Sequence, residues 1–106
     1  MLRKSKRARV IGITSSVGRT PRAYWGLYGA SKAAFETLLG AYGDEMEQIS
    51  SIRVAIVDPG ATRTKMRERA YPGEDPASVK APEVVADRLV ALLGEDFATG
   101  HFERVD

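Results

Sequence analysis

Two short apolar runs, separated by one long amphipathic segment, constrain the fold of this chain more than any other feature. Residues 9–14 are rich in β-branched side chains and end in small polar residues, and residues 52–57 have the same character. Apolar runs of this length predict strands that are buried on both faces, as parallel strands are. Residues 27–48 between them are long enough for the crossover helix that joins parallel neighbours.

The segment 27–48 carries apolar residues at intervals of three and four, which predicts a helix with one buried stripe. The stripe consists of Phe35, Leu38, Leu39, Tyr42, Met46 and Ile49. Gly40 and Gly43 each disfavour a helix interior by about 1 kcal/mol relative to alanine. They either weaken the prediction or mark a close packing contact.

A second helix is predicted over residues 82–94, because Pro82 suits a first helical turn and Gly94 suits a helix end. Its apolar face consists of Val84, Val85, Leu89, Leu92 and Leu93. Residues 99–105 can form a last short strand. The order strand, helix, strand, helix, strand predicts an α/β domain with a parallel sheet and two right-handed crossovers.

Length and composition limit the class of protein. With 106 residues and 43% hydrophobic residues, a single domain over 1–106 is expected, without room for a second core. The absence of cysteine excludes disulfides and suits a reducing cytoplasm. No apolar run approaches the roughly 20 residues of a membrane span, so we expect no membrane partner.

Five cationic residues crowd the first nine positions of the chain. A nucleic-acid-binding arm is one interpretation, and the solvated end of a helix leading into the first strand is the other. We favour the second, and expect no nucleic-acid partner, because no aromatic platform accompanies the charges. The five residues are Arg3, Lys4, Lys6, Arg7 and Arg9.

Candidate chemistry lies where the two strands end, since ligands of parallel α/β sheets bind beyond the carboxyl ends of the strands. Ser15 follows the first strand, and Tyr28 and Lys32 share one face at the start of the long helix. A nearby ammonium group stabilises a phenolate, so Tyr28 can exchange a proton with a carbonyl or alcohol oxygen. The Ser15 hydroxyl can hold that same oxygen.

Each of these features has an ordinary structural explanation. A tyrosine and a lysine four residues apart usually reflect packing and solvation, a serine at a strand end is common, and Pro59-Gly60 ends many strands. Their occurrence together in one strand–loop–helix unit favours the catalytic interpretation.

The motifs resemble those of the short-chain dehydrogenase/reductase family. Residues 28–32 read YGASK, with Ser15 thirteen residues before Tyr28 and Gly18 three residues after Ser15; residues 58–64 read DPGATRT, like the nicotinamide-side segment of the family. The resemblance covers essentially the whole chain. It implies the C-terminal part of a Rossmann-like doubly wound parallel sheet, of order β-α-β-α-β, without the N-terminal nucleotide-binding half.

The resemblance also implies roles for single residues. Tyr28 is then the general acid/base, Lys32 stabilises its phenolate and reaches the nicotinamide ribose, and Ser15 orients the substrate oxygen, with Ser16 as a weaker candidate. Pro59 and Gly60 shape the second turn, the backbone at Thr62 meets the carboxamide, and the Thr64 hydroxyl contacts the cofactor. The implied cofactor is NAD or NADP, and the implied substrate is a small carbonyl or alcohol compound.

Residues 65–80 are charged and irregular, and by resemblance they form the substrate lid; a solvated loop is the alternative. Tyr24 and Trp25 are candidates for lining the substrate pocket, although Trp25 can equally be a packing residue. His101 has no evident partner, and we assign it no role.

The family's glycine-rich phosphate segment and its upstream catalytic asparagine are not among these residues, and only fourteen residues precede Ser15. We therefore expect an unpaired edge on the first strand, weak cofactor binding and slow turnover by this chain alone. A non-catalytic binding module is the alternative function. The complete enzyme is expected to be a homo-oligomer, either dimer or tetramer, assembled through helices that include the long one.

Overall fold

The computed structural model describes residues 2–106 and contains three strands and three α-helices. Short 3-10 turns cover Leu2–Lys4, Ser16–Gly18 and Pro76–Ser78. The predicted α/β class, including the last strand, is confirmed. In chain order the elements are β1 (Arg9–Ile13), α1 (Gly26–Glu47), β2 (Arg53–Asp58), α2 (Lys65–Ala70), α3 (Pro82–Gly94) and β3 (His101–Arg104).

The three strands form one parallel sheet in the order β1-β2-β3. Successive side chains of β2 point to opposite faces: Val54 packs with α1 residues, whereas Ala55 and Val57 pack with Val85 and Leu92 of α3. The two helices therefore cover opposite faces, which confirms the doubly wound arrangement. The order β1-β2-β3 runs in one direction while α1 and α3 lie on opposite faces, so the two crossovers have opposite hands. The prediction of two right-handed crossovers is therefore wrong.

The buried stripe of α1 is narrower than predicted. Leu39, Tyr42 and Met46 pack against the Ala8, Ile52 and Val54 cluster. The predicted members Leu38 and Ile49 are exposed instead, and Phe35 is 37% exposed although its ring faces Gly12 of β1. Gly43 explains the difference, because a Cβ there would lie 3.2 Å from the Cβ of Val54, so the helix backbone itself lies on the sheet.

Gly40 has no such contact, since a Cβ built there meets nothing within 4 Å. Close packing therefore accounts for Gly43 alone. In α3, Pro82 occupies the first turn as predicted, and Val85 and Leu92 are buried. Leu89 is half-buried and packs against the same cluster, as predicted, whereas Val84 and Leu93 are exposed.

The cationic residues at the start of the chain are only partly exposed to solvent. Lys4, Lys6 and Arg7 are exposed, but the side chain of Arg9 is 7% exposed, with its guanidinium carbon 5.3 Å from the centroid of the Phe97 ring. The prediction of a solvated end is therefore wrong for Arg9, and this packing removes one cation from any phosphate-binding arm. Met1 and the Arg3 side chain lie outside the described part of the chain. Among residues 2–106, no helix has both the length and the apolar character to cross a bilayer.

Candidate active site

The first turn of α1 lies directly against the turn that follows β1. A Cβ added at the buried Gly29 would lie 2.7 Å from the carbonyl oxygen of Val17. A Cβ added at Gly18 would lie 3.1 Å from the Cβ of Lys32 and 3.2 Å from the backbone nitrogen of Ala33. Glycine at both positions thus permits the close approach that brings residue 28 beside the turn of Ser15.

Tyr28 and Lys32 meet as their spacing predicts. Both side chains are half-buried, and the Lys32 Nζ lies 5.7 Å from the centroid of the Tyr28 ring. The same Nζ donates a hydrogen bond of 3.2 Å to the carbonyl oxygen of Ile13, at the end of β1. An ammonium group has three N–H donors, so two remain for a ligand.

Ser15 begins the 3-10 turn next to these residues. Its backbone is extended, with φ −146 and ψ 149, and its side chain makes no capping hydrogen bond with the turn. Its carbonyl oxygen accepts the N–H of Gly18 at 3.0 Å, while the carbonyl oxygen of Ser16 accepts the N–H groups of Arg19 and Thr20. The turn therefore uses the backbone of Ser15 and leaves its hydroxyl for another partner.

The Pro59-Gly60 turn follows β2. Gly60 has φ +68, a backbone conformation that residues with a side chain rarely adopt. A Cβ there would also lie 2.9 Å from the carbonyl oxygen of Val105. The Asp58 Oδ1 accepts the N–H of Gly60 at 2.9 Å, and Lys80 Nζ donates to the carbonyl oxygen of Pro59 at 2.7 Å. The turn is thus fixed from several sides.

Thr62 and Thr64 differ in what they offer a cofactor. The Thr62 Oγ1 donates to the carbonyl oxygen of Gly60 at 3.2 Å, so this hydroxyl serves the turn itself. The Thr64 Oγ1 accepts the N–H of Arg67 at 3.1 Å and caps α2, which leaves its own proton free to donate. Lys32 and Thr64 thus keep donors that a ligand can use, whereas the hydroxyl of Thr62 is used by the turn.

A polar network, which the sequence did not reveal, joins the two turns. The side chain of Asp58 is 3% exposed, and its Oδ2 accepts a 3.0 Å hydrogen bond from Arg19, in the segment after Ser15. Arg19 also lies 3.9 Å from Glu36 on α1, and Glu36 accepts a 2.7 Å hydrogen bond from Thr14. A carboxylate at the end of a buried strand requires a partner, and this requirement was the available signal.

Residues 65–80 are more ordered than predicted. Lys65–Ala70 forms α2, capped by Thr64, and Arg67 donates two hydrogen bonds to Glu74, at 2.9 and 2.7 Å. Those bonds lower the pKa of the Glu74 carboxyl. The prediction of an irregular segment is wrong for α2, because its residues are mostly good helix formers behind a threonine cap.

The other residues considered in the sequence, Tyr24, Trp25 and His101, differ in their exposure and contacts. The side chain of Tyr24 is fully exposed, whereas Trp25 is half-buried with its ring centroid 5.7 Å from that of Tyr28. His101 contacts Glu103 at 2.8 Å. A cleft of about 710 Å³ opens at the amino ends of the strands, beside Arg9 and Arg53, and so lies away from the predicted chemistry.

Comparison with known proteins identifies the family. Residues 1–75 match the sequence model described as short chain dehydrogenase. The chain belongs to the short chain dehydrogenase family. The resemblance in the sequence motifs is thereby confirmed, as is the partial Rossmann-like sheet.

Members of the short chain dehydrogenase family match nearly the whole chain. It is 42% identical over 96 residues to the oxidoreductase YciK of Escherichia coli K12, covering 91% of this chain and 37% of that protein. A short chain dehydrogenase of Salmonella enterica serovar Typhi superposes with a TM-score of 0.91 at 38% identity, covering 99% of this chain and 44% of that one. This chain thus spans less than half the length of these relatives.

A third family member bears on the cofactor. The short chain dehydrogenase of Shigella flexneri 2a, crystallised with NADP, has a TM-score of 0.89 at 40% identity and covers 98% of this chain and 44% of that one. The prediction of NAD or NADP agrees with that complex.

Proposed function

We propose that this chain carries the catalytic part of an NAD(P)-dependent oxidoreductase that interconverts a small carbonyl compound and its alcohol. One observation carries the proposal: the Lys32 ammonium group is anchored on the end of β1 and lies beside Tyr28, on a helix turn packed against the turn of Ser15. Membership of the family supports the same reaction class.

Tyr28, Lys32 and Ser15 have different proposed roles in the reaction. Tyr28 gives a proton to the substrate oxygen during reduction and takes it back during oxidation. The positive charge of Lys32 favours the phenolate form that results, and the Ser15 hydroxyl donates a hydrogen bond to the same oxygen. A bound nicotinamide would supply the hydride. Reduction therefore converts a carbonyl, NAD(P)H and a proton into an alcohol and NAD(P)⁺.

The cofactor contacts proposed here are the free donors of Lys32, at the ribose, and the Thr64 hydroxyl, with the Pro59-Gly60 turn shaping the site. The backbone of Thr62 is proposed to meet the carboxamide. The NADP complex of the Shigella flexneri relative supports a nicotinamide dinucleotide. Since these 106 residues include no glycine-rich phosphate segment, we expect them alone to bind NAD(P) weakly and to react slowly. Rapid ketone reduction by the isolated chain would contradict this expectation.

Replacement of Tyr28 by phenylalanine tests the catalytic assignment. In the natural gene product that contains this chain, Tyr28→Phe should lower hydride transfer by about 10²- to 10⁴-fold, because the proton donor is lost, and leave NADPH binding unchanged. Single-turnover NADPH oxidation and a nucleotide titration measure the two effects. Tyr42→Phe, on the same helix but in the Ile52 cluster, is the control and should retain activity. Full activity of Tyr28→Phe would refute the role of Tyr28.

A non-catalytic binding module is the second candidate. Among residues 2–106, β1 is hydrogen-bonded to β2 alone, so its other edge can accept a strand from a partner. Co-purification of a stoichiometric protein that protects the β1 amides from hydrogen exchange would favour this function. The lack of cysteine continues to suit the cytoplasm as the proposed location.

A further inference from the structure

The indole ring of Trp25 contacts both the proposed catalytic tyrosine and the segment 65–80, which by resemblance forms the substrate lid. On one side its centroid is 5.7 Å from that of Tyr28, with an angle of 71° between the ring planes. It also lies 6.2 Å from the centroid of Tyr71, at an angle of only 17°. Tyr71 directly follows α2, so one aromatic side chain contacts both the start of α1 and the segment 65–80.

The ring of Tyr71 is itself held in place. The guanidinium carbon of Arg67 lies 4.0 Å from its centroid, within the range of a cation–π interaction. Arg67 is in turn fixed by its two hydrogen bonds to Glu74. Tyr71 is therefore positioned by contacts within the segment 65–80.

The backbone before Trp25 is unusual as well. Tyr24 has φ +70, in the left-handed region that bulky residues rarely adopt, and its side chain is fully exposed. Contacts of the Tyr24 side chain do not explain this conformation. The turn instead carries the chain so that the next side chain, Trp25, contacts Tyr28 and Tyr71.

We propose that Trp25 and Tyr71 form an aromatic clamp that makes the site selective for substrates whose reacting carbon is attached to a flat, unsaturated ring. The inference rests on the oxidoreductase function proposed above. Trp25 and Tyr71 lie nearly parallel next to Tyr28, and Arg67 covers one face of the Tyr71 ring. A flat ring can stack on the remaining aromatic surface with its oxygen near the Tyr28 hydroxyl. A saturated ring of the same size is puckered and makes a less extensive contact with an aromatic face.

Benzyl alcohol and cyclohexylmethanol test the aromatic clamp, because they differ in the flatness of the ring. Trp25 is the only tryptophan, so the 106-residue chain gives a single indole N–H signal in a ¹H–¹⁵N spectrum. Benzyl alcohol should shift this signal with an affinity about threefold to tenfold higher than that of cyclohexylmethanol, as expected for one aromatic stack. Equal affinities, or no shift with either alcohol, would overturn the proposal.

Two substitutions at Tyr71 separate stacking from other effects. Tyr71→Phe keeps the ring and should keep the preference for benzyl alcohol, whereas Tyr71→Leu should abolish it. Dispersed amide signals from β2 establish that each variant is folded. A preference that persists in Tyr71→Leu would exclude Tyr71 from the clamp and overturn the proposal. The comparison of the two alcohols on the unaltered chain stands even if Tyr71→Leu does not fold.

The Tyr28→Phe variant distinguishes failure of the clamp from failure of the oxidoreductase function. It should lose hydride transfer and keep the ring preference, since the aromatic clamp does not use the Tyr28 hydroxyl. Ring selectivity without NADPH-dependent turnover in the unaltered natural gene product would leave the clamp and refute the function. Turnover without ring selectivity would refute the clamp alone.

Discussion

Gly29 directly follows the proposed proton donor, Tyr28, in α1. Because Gly29 has no side chain, the helix can lie against the turn of Ser15. A Cβ at this position would lie 2.7 Å from a backbone oxygen of Val17, which cannot move without displacing the turn. Residue identity here therefore controls the geometry of Tyr28, although Gly29 itself performs no chemistry.

Two glycine-to-alanine substitutions in the same helix should have opposite effects. Gly29→Ala should lower the free energy of unfolding by roughly 1–3 kcal/mol, because the new methyl group overpacks the contact with Val17. Gly40→Ala, where a Cβ meets nothing within 4 Å, should raise it by up to about 1 kcal/mol through helix propensity. Urea unfolding measures both. Equal stabilisation by the two substitutions would show that the close contact at Gly29 does not exist.

Single residues also show where sequence reasoning reached its limit. Tyr28 and Lys32 were predictable as a pair because four residues along a helix fix their proximity. The ion pair of Arg19 with Asp58 joins residues 39 positions apart, and no local pattern encodes that distance. The contact of Trp25 with Tyr71 is hidden for the same reason, so sequence predicted Trp25 as a candidate and left its partner unknown.

For helices and strands, the accuracy of the sequence-based prediction depended on local signals such as helix caps and breakers. The bounds of α3 were predictable from Pro82 and Gly94, whose backbone properties suit the two ends of a helix. The helix α2 was missed, because Thr64 as a cap is a short signal inside a charged segment with prolines nearby. The hand of the second crossover depends on which face α3 covers, and its amphipathic pattern alone does not state the face.

The hydrogen-bonded ion pair between Arg88 of α3 and Glu103 of β3 should make the free energy of unfolding depend on pH. Hydrogen bonds from Arg88, and to a lesser extent from His101, hold the pKa of Glu103 at about 2, against an ordinary value of 4.5. The folded state thus binds this proton more weakly than the unfolded state does. The contribution of Glu103 is therefore fully present above about pH 4.5 and is lost as the pH falls toward about 2.

Glu103→Gln removes that dependence. The variant should unfold at lower urea concentration than the unaltered chain at about pH 7, and the difference should shrink steadily below about pH 4.5. Urea midpoints across this pH range measure the effect. Glu45→Gln, at an exposed position of α1, serves as the control and should leave the pH profile unchanged. A constant difference between Glu103→Gln and the unaltered chain at every pH would contradict the assignment.

The molecule as a whole is more extended than a compact domain of its length. Its radius of gyration is 15.4 Å, with extents of 48 × 28 × 20 Å, whereas about 13 Å is typical for 106 residues. The long helix α1 presents Leu27, Phe35 and Leu38 to solvent. An apolar surface on an elongated molecule favours association, which agrees with the homo-oligomer expected of the complete enzyme.

If association uses the outer face of α1, one charge there should prevent it. Leu38 is 70% exposed on α1, and Val90 is 71% exposed on α3, across the sheet, so the two sites are matched in exposure and differ in face. Leu38→Lys should convert concentration-dependent oligomers into monomers, because burying an unpaired ammonium group is unfavourable, and Val90→Lys should not. Light scattering over a concentration series distinguishes them. If both variants still associate, the open edge of β1 is the better candidate interface, because neither substitution alters its unpaired backbone groups.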